Sequence, residues 1–152
     1  MARRQARNNT IQMVEAIMVD RTLYIVFSGE PPIQERPRGT YLRGQGRLIM
    51  YDPTSRVKQA VQVLLRHALD EIDAFEAQQL DTVFEPSARL KVRVQYYLHD
   101  DRKDIDNLLK FTFDVMQGIV FGNDRFICEV EARKTTVGEP GARADVEISV
   151  VN

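Results

Sequence analysis

Residues 90–98 alternate strictly: Leu90, Val92, Val94, Tyr96 and Leu98 interleave with Lys91, Arg93, Gln95 and Tyr97. A period of two marks a strand with one face in a core and the other toward water. A sheet built on such a strand needs covering elements on one side only. Two further segments share the alternation, Phe126–Arg133 and Ala144–Val150, and the Gly138-Glu-Pro-Gly141 turn between them predicts an antiparallel hairpin. Thr22-Leu-Tyr-Ile-Val-Phe-Ser28 reads as another strand, stopped at Gly29-Glu-Pro-Pro.

The covering elements are legible as well. Val57, Val61, Leu64, Leu65, Ala68, Leu69 and Ile72 fall at helical spacing, which predicts a helix from Ser55 to about Gln79, started near Asp52 or Thr54. A second helix is expected from Asp106 to Gln117, with Gly118 as its C′ residue. Residues 31–53 hold four of the six prolines and are loop or hairpin. Ile11, Met13, Val14, Ile17 and Met18 suit either a short helix or an additional strand. The expected fold is α+β: one small mixed sheet with two main helices packed on one face, in a single domain. Residues 1–21 stand before it as an extension of open role, and 22–152 form the domain.

At 152 residues and 43% hydrophobic content, such a domain buries its core without cross-links. One cysteine, Cys128, forms no internal disulfide; its place in the alternation puts it in the core. No apolar run approaches the roughly 20 residues of a membrane span. The basic start is followed by a stretch that Glu15 and Asp20 interrupt, unlike a signal peptide. The expected setting is cytoplasmic and not secreted, without a membrane partner.

Net charge, −1 overall, hides an asymmetry: residues 1–50 carry eight Arg and four acids, whereas the remainder carries 13 bases and 18 acids. The densest basic stretch is Arg36, Arg38, Arg43, Arg47, Arg56 and Lys58, with Asp52 the one acid among them. Guanidinium forks suit phosphate oxygens, although a solvated loop is the plainer explanation. Four aspartates, Asp100, Asp101, Asp104 and Asp106, crowd the junction between the central strand and the second helix. Carboxylates this close repel unless a cation offsets them, and Mg²⁺ takes such hard oxygens. If the chain there is extended, Asp104 and Asp106 point to one side. Helix capping explains one of them equally well. Asp124, in Gly122-Asn-Asp-Arg-Phe, is a third acid whose approach depends on the sheet pairing. Lys110 lies one turn after Asp106, and Asp114 one turn further, free to pair with Lys110 or face solvent. His67 is expected to be structural; His99 is close enough to the acids for a minor proton-transfer role.

These residues carry a resemblance. Asp104-Ile-Asp-Asn-Leu-Leu-Lys110, then Phe113-Asp114, then Asn123-Asp124 before Ile127, resembles the signature of RusA-type Holliday junction resolvases: Asp-x-Asp-Asn-Leu-x-Lys, a Leu-Asp or Phe-Asp, and an acidic pair before a strand. Gly29-Glu-Pro-Pro, the Arg-rich loop, Tyr51-Asp-Pro and the closing Gly141-Ala-Arg-Ala-Asp-Val-Glu-Ile are similar too, from about residue 22 onward. Where the family often has two acids, this chain has Asn123-Asp124.

The resemblance implies a homodimeric endonuclease on four-way DNA junctions, using Mg²⁺ or Mn²⁺ and no small-molecule cofactor, in recombination and repair. Asp104, Asp106 and Asp124 would be the metal-binding catalytic acids and Lys110 the basic residue that helps position or stabilise the scissile phosphate. Arg36, Arg38, Arg43 and Arg47 would hold DNA phosphates, with Tyr41 stacking on an unpaired base. Two other readings compete: a Mg²⁺-dependent nucleotide phosphohydrolase, and a non-catalytic branched-DNA-binding dimer.

Overall fold

In the computed structural model, which describes residues 11–72 and 81–152, the strands are β1 (Met13–Val19), β2 (Thr22–Ser28), β3 (Arg38–Leu42), β4 (Arg47–Tyr51), β5 (Leu90–Leu98), β6 (Ile127–Thr136) and β7 (Arg143–Val150). The helices are α1 (Ser55–Asp70) and α2 (Ile105–Met116). Five strands form one mixed sheet in the order β1-β2-β7-β5-β6, and β3 and β4 form a separate two-stranded hairpin. This is the expected α+β domain.

The alternating strand organises the sheet. Every core-facing side chain of β5, from Leu90 to Leu98, is buried. They meet Leu23, Ile25 and Phe27 of β2, Ala144, Val146 and Ile148 of β7, and the apolar faces of both helices in one cluster. Helix α1 contributes Val61, Leu65 and Leu69; α2 contributes Leu108, Phe111, Val115 and Met116. Tyr96 is fully buried and its hydroxyl meets Thr112 Oγ1 at 2.7 Å, which satisfies the one polar group the strand sends inward.

The N-terminal segment resolves to a strand. β1 pairs antiparallel with β2 through a two-residue turn, Asp20-Arg21, with both residues at positive φ. Its apolar residues alternate, so Val14, Ala16 and Met18 join the core margin while Met13 and Ile17 face water. Helix α1 stops at Asp70, short of the expected Gln79; residues 73–79 lie outside the described part. Helix α2 matches expectation within a residue, and Gly118 follows it at φ +81°.

Two expectations fail at the last strands. β6 and β7 do not form a hairpin, because β5 lies between them, parallel to β6 and antiparallel to β7. A strand buried as completely as β5 needs neighbours on both sides. The segment after β6 therefore passes over the end of β5, where the Val137 N–H donates to Leu98 O at 2.8 Å, and returns beyond it. Cys128 is exposed rather than core. The register slips between Leu90 and Lys91, which face Ile127 and Glu129, so Cys128 is the extra residue of a bulge. The bulge changes the phase of the alternation and turns Ile127 to the core instead.

Candidate active site and nucleic-acid interface

The acids at the end of β5 owe their placement to a clamp. Gly29-Glu-Pro-Pro ends β2, and Glu30 reaches the 99–103 loop, accepting from the His99 N–H at 2.9 Å and from Lys103 Nζ at 2.9 Å. Lys103 Nζ also donates to Pro31 O at 2.6 Å. Both side chains of this ion pair are largely buried. From the far side, Lys134 of β6 donates to the carbonyls of Asp101 and Lys103. Nothing in the periodicity signals the Glu30–Lys103 pair, whose members lie 73 positions apart.

Within this loop the aspartates have different tasks. Asp100 pairs with Arg102, whose backbone N–H, assisted by its guanidinium, lowers the Asp100 pKa. Asp104 is the N-cap residue of α2, with extended backbone (φ −75°, ψ 139°), but its side chain makes no cap hydrogen bond. Asp106 already belongs to the first helical turn, so the extended geometry expected across Asp104 and Asp106 stops at Asp104. Both are exposed and neither forms an ion pair among the described residues. Arg102 and Lys103, the nearest bases in sequence, are engaged by Asp100 and Glu30. Two carboxylates at a helix N-terminus, where the peptide dipoles favour negative charge, thus have no basic partner among the described residues. As a donor set they fit Mg²⁺, which takes one or two carboxylates and fills its remaining positions with water and phosphate.

Asp124 does not join them within one chain. Because β6 runs parallel to β5, with Ile127 level with Leu90, the residue just before β6 lies at the opposite end of the sheet from Asp104. The Asp124 N–H meets Gln117 Oε1, at the C-terminal end of α2. Asp106 to Gln117 along the helix is roughly 17 Å at 1.5 Å per residue. Accordingly, no group of three or more metal-binding side chains comes together among the described residues. Lys110 is exposed one turn along α2, paired with neither Asp106 nor Asp114. His99 lies 3.8 Å from Glu139, and His67 is exposed on α1 at 4.0 Å from Glu71.

Asp114, expected to pair with Lys110 or face solvent, instead shares Lys58 with Asp52, at 3.1 and 2.9 Å. Lys58 therefore leaves the basic patch and becomes a strut between α1, α2 and the base of the β3–β4 hairpin. Burial opposes its charge, but the hydrogen bonds it donates to Asp52 and Asp114 outweigh that and raise its pKa. The Asp52 carboxylate accepts from the Thr54 hydroxyl (2.6 Å), Lys58 and Gln34, and is held far below the usual carboxylate range.

The hairpin itself carries Arg36, Arg38, Arg43, Arg47 and Tyr41, all exposed. Residues 36–51 contain no acid. Arg38 makes a loose contact with Glu35 at 3.5 Å, while Arg36, Arg43 and Arg47 have no carboxylate partner among the described residues. The open face of the main sheet differs. There Lys91, Arg93 and Arg143 each pair with Glu129, with Glu131 and Glu147, or with Asp145. Arg36, Arg43 and Arg47 thus form one cluster of bases without carboxylate partners among the described residues.

An α+β domain with two carboxylates unpartnered among the described residues at one helix terminus, and with an arginine-bearing hairpin, has the makings of a phosphodiesterase acting on a polyanion. A family model described as Endodeoxyribonuclease RusA matches residues 28–149, and the chain belongs to that family of endodeoxyribonucleases. Family membership implies a Holliday junction resolving endonuclease that binds branched DNA. No curated protein matches the chain.

Proposed function

We propose that the chain is a Mg²⁺-dependent resolvase that acts as a homodimer and nicks opposed strands of a four-way junction, in recombination and repair. The observation that carries this reading, beyond family membership, is that Asp104 and Asp106 have no ion-pair partner among the described residues and follow the loop held by the Glu30 clamp. These two residues would hold a divalent cation, Mg²⁺ or Mn²⁺. When bound, the cation supplies Lewis-acid activation of water and offsets charge on the phosphoryl group. Lys110, on the next turn of α2, stabilises negative charge on the scissile phosphate. Arg36, Arg38, Arg43 and Arg47 grip phosphates without regard to sequence, and Tyr41 stacks on a base that lacks its partner.

Asp124 enters this scheme through the dimer. Its place at the far end of α2 supports a role in the acid set of a second copy rather than its own. A two-fold axis would then present two identical sites, suited to paired nicks. Cleavage of a labelled junction with and without Mg²⁺, beside linear duplex and the Asp106→Asn protein, tests the proposal. Symmetric nicks, lost without metal and in the variant, are expected. Tight binding without cutting in Mg²⁺ or Mn²⁺ would leave a branched-DNA-binding dimer instead.

A further inference from the structure

The β3–β4 hairpin is apolar where a phosphate-gripping arm has no need to be. Tyr41 pairs with Leu48 and Gly39 with Met50, so these four residues share one face. Tyr41 and Leu48 are each 62% exposed and Met50 58%. Gly39 makes the face continuous: a Cβ there would lie 2.9 Å from Leu48 Cδ1 and 3.2 Å from Met50 Sδ, so both side chains close over the space it leaves. A ridge of three large apolar side chains in water is unfavourable for a free arm and marks a contact surface. A lone two-stranded hairpin is also marginal by itself. Here the Asp52–Lys58–Asp114 strut anchors its base.

The charge around the ridge selects its occupant. Arg43 lies in the four-residue tip and Arg47 closes it, Arg36 and Arg38 lie at the base, and no acid occurs across residues 36–51. Another copy of the same hairpin would be repelled, whereas a polyanion that exposes apolar base faces is attracted on both counts. We propose that Leu48 and Met50, with Tyr41, form a wedge that enters the branch point of the junction and unstacks its bases while the arginines hold the flanking phosphates. The inference rests on the branched-DNA reading above and adds a structural role to it. Apolar side chains inserted between base steps unstack and kink DNA in this way.

Four-way junctions carrying 2-aminopurine at the branch point, or ten pairs along one arm, are titrated with the full chain in EDTA, so that binding proceeds without cutting. The wild-type protein is expected to raise fluorescence severalfold at the branch point and not in the arm. Leu48→Ala/Met50→Ala loses most of that rise at saturating protein, with Kd weakened by less than tenfold. Leu48→Met/Met50→Leu, which preserves apolar volume in the same register, retains it. Arg43→Gln/Arg47→Gln binds more weakly, with a salt slope lower by about 2, yet gives the full rise at saturation. The wedge is overturned if the alanine pair keeps the rise, or if the conservative swap loses it too. It is also overturned if the alanine pair dissociates a dimer in sedimentation, which would make the ridge a protein interface. A wild-type chain that neither binds nor cuts junctions sinks the functional reading and the wedge together. One that cuts them with branch fluorescence independent of Leu48 and Met50 sinks the wedge alone.

Discussion

Carboxylates do different work in this chain according to what stands beside them. Asp104 and Asp106 stand out as candidates in the sequence because the motif and the crowding of acids are local. Glu30 was not, since its partner Lys103 is remote in sequence and the Gly-Glu-Pro-Pro turn looks like punctuation. Glu30 touches no reacting group, so it is a positioning residue. Glu30→Ala should lower the single-turnover cleavage rate about 10- to 100-fold, because small displacements of reacting groups are costly. Junction affinity should stay within about twofold, and Glu30→Gln, whose single amide oxygen can replace only one of the two acceptors, should recover part of the rate. Equal rates for all three proteins would show that the 99–103 loop holds itself. Asp52 offers a test by pH. Its pKa is depressed, first by the Thr54 hydroxyl and then by Lys58. Its stabilisation is therefore present above its ordinary 3.8 and lost as pH falls below that value toward the folded one. Melting temperatures of wild type and Asp52→Asn should differ most at pH 5–7 and converge between pH 4 and 2. A gap of the same size at pH 6 and pH 2 would contradict the assignment.

At the scale of elements, identity was easier to read than adjacency. The alternation of β5 and the helical spacing of α1 and α2 depend on burial of one face, and burial leaves a periodic trace. Which strand lies next to which depends on connections, and the short 137–142 link suggested a hairpin that the burial of β5 forbids. The bulge at Cys128 escaped for a related reason: one inserted residue changes the phase, and the sequence on either side still alternates. The hairpin at 38–51 was legible only as turn-rich chain, since its strands alternate against solvent. The β1–β2 turn carries a prediction of its own. Asp20 and Arg21 sit at φ 49° and 64°, the conformation of a tight hairpin turn that favours glycine at its second position. Arg21→Gly should raise stability by about 0.5–1 kcal/mol in denaturant titration, because a left-handed non-glycine backbone is relieved. No gain, or a loss, would mean that the arginine side chain contributes as much as the backbone costs.

The whole molecule poses the question that one chain cannot answer. The parallel β5–α2–β6 unit sends Asp104 and Asp106 to one end of the sheet and Asp124 to the other. The sequence motif joins the three as though they were neighbours, and the fold separates them by the length of a helix. If a second copy brings its Asp124 to the first copy's Asp104 and Asp106, each site is divided between two chains. Division has a consequence that a self-contained site lacks. Asp106→Asn and Asp124→Asn should each be inactive alone, yet a mixture should regain cleavage. In the heterodimer one site receives both defects, while the other receives intact Asp104 and Asp106 from one chain and intact Asp124 from its partner. With equal mixing about half the dimers carry one working site, so products should be mainly single nicks rather than paired ones. The measurement is strand-specific nicking of a junction by each variant and by their mixture, after incubation long enough for subunits to exchange. A tagged-subunit pull-down establishes the exchange. Inactivity of the mixture despite exchange would place all three acids in one chain's service and require Asp124 to act by another route.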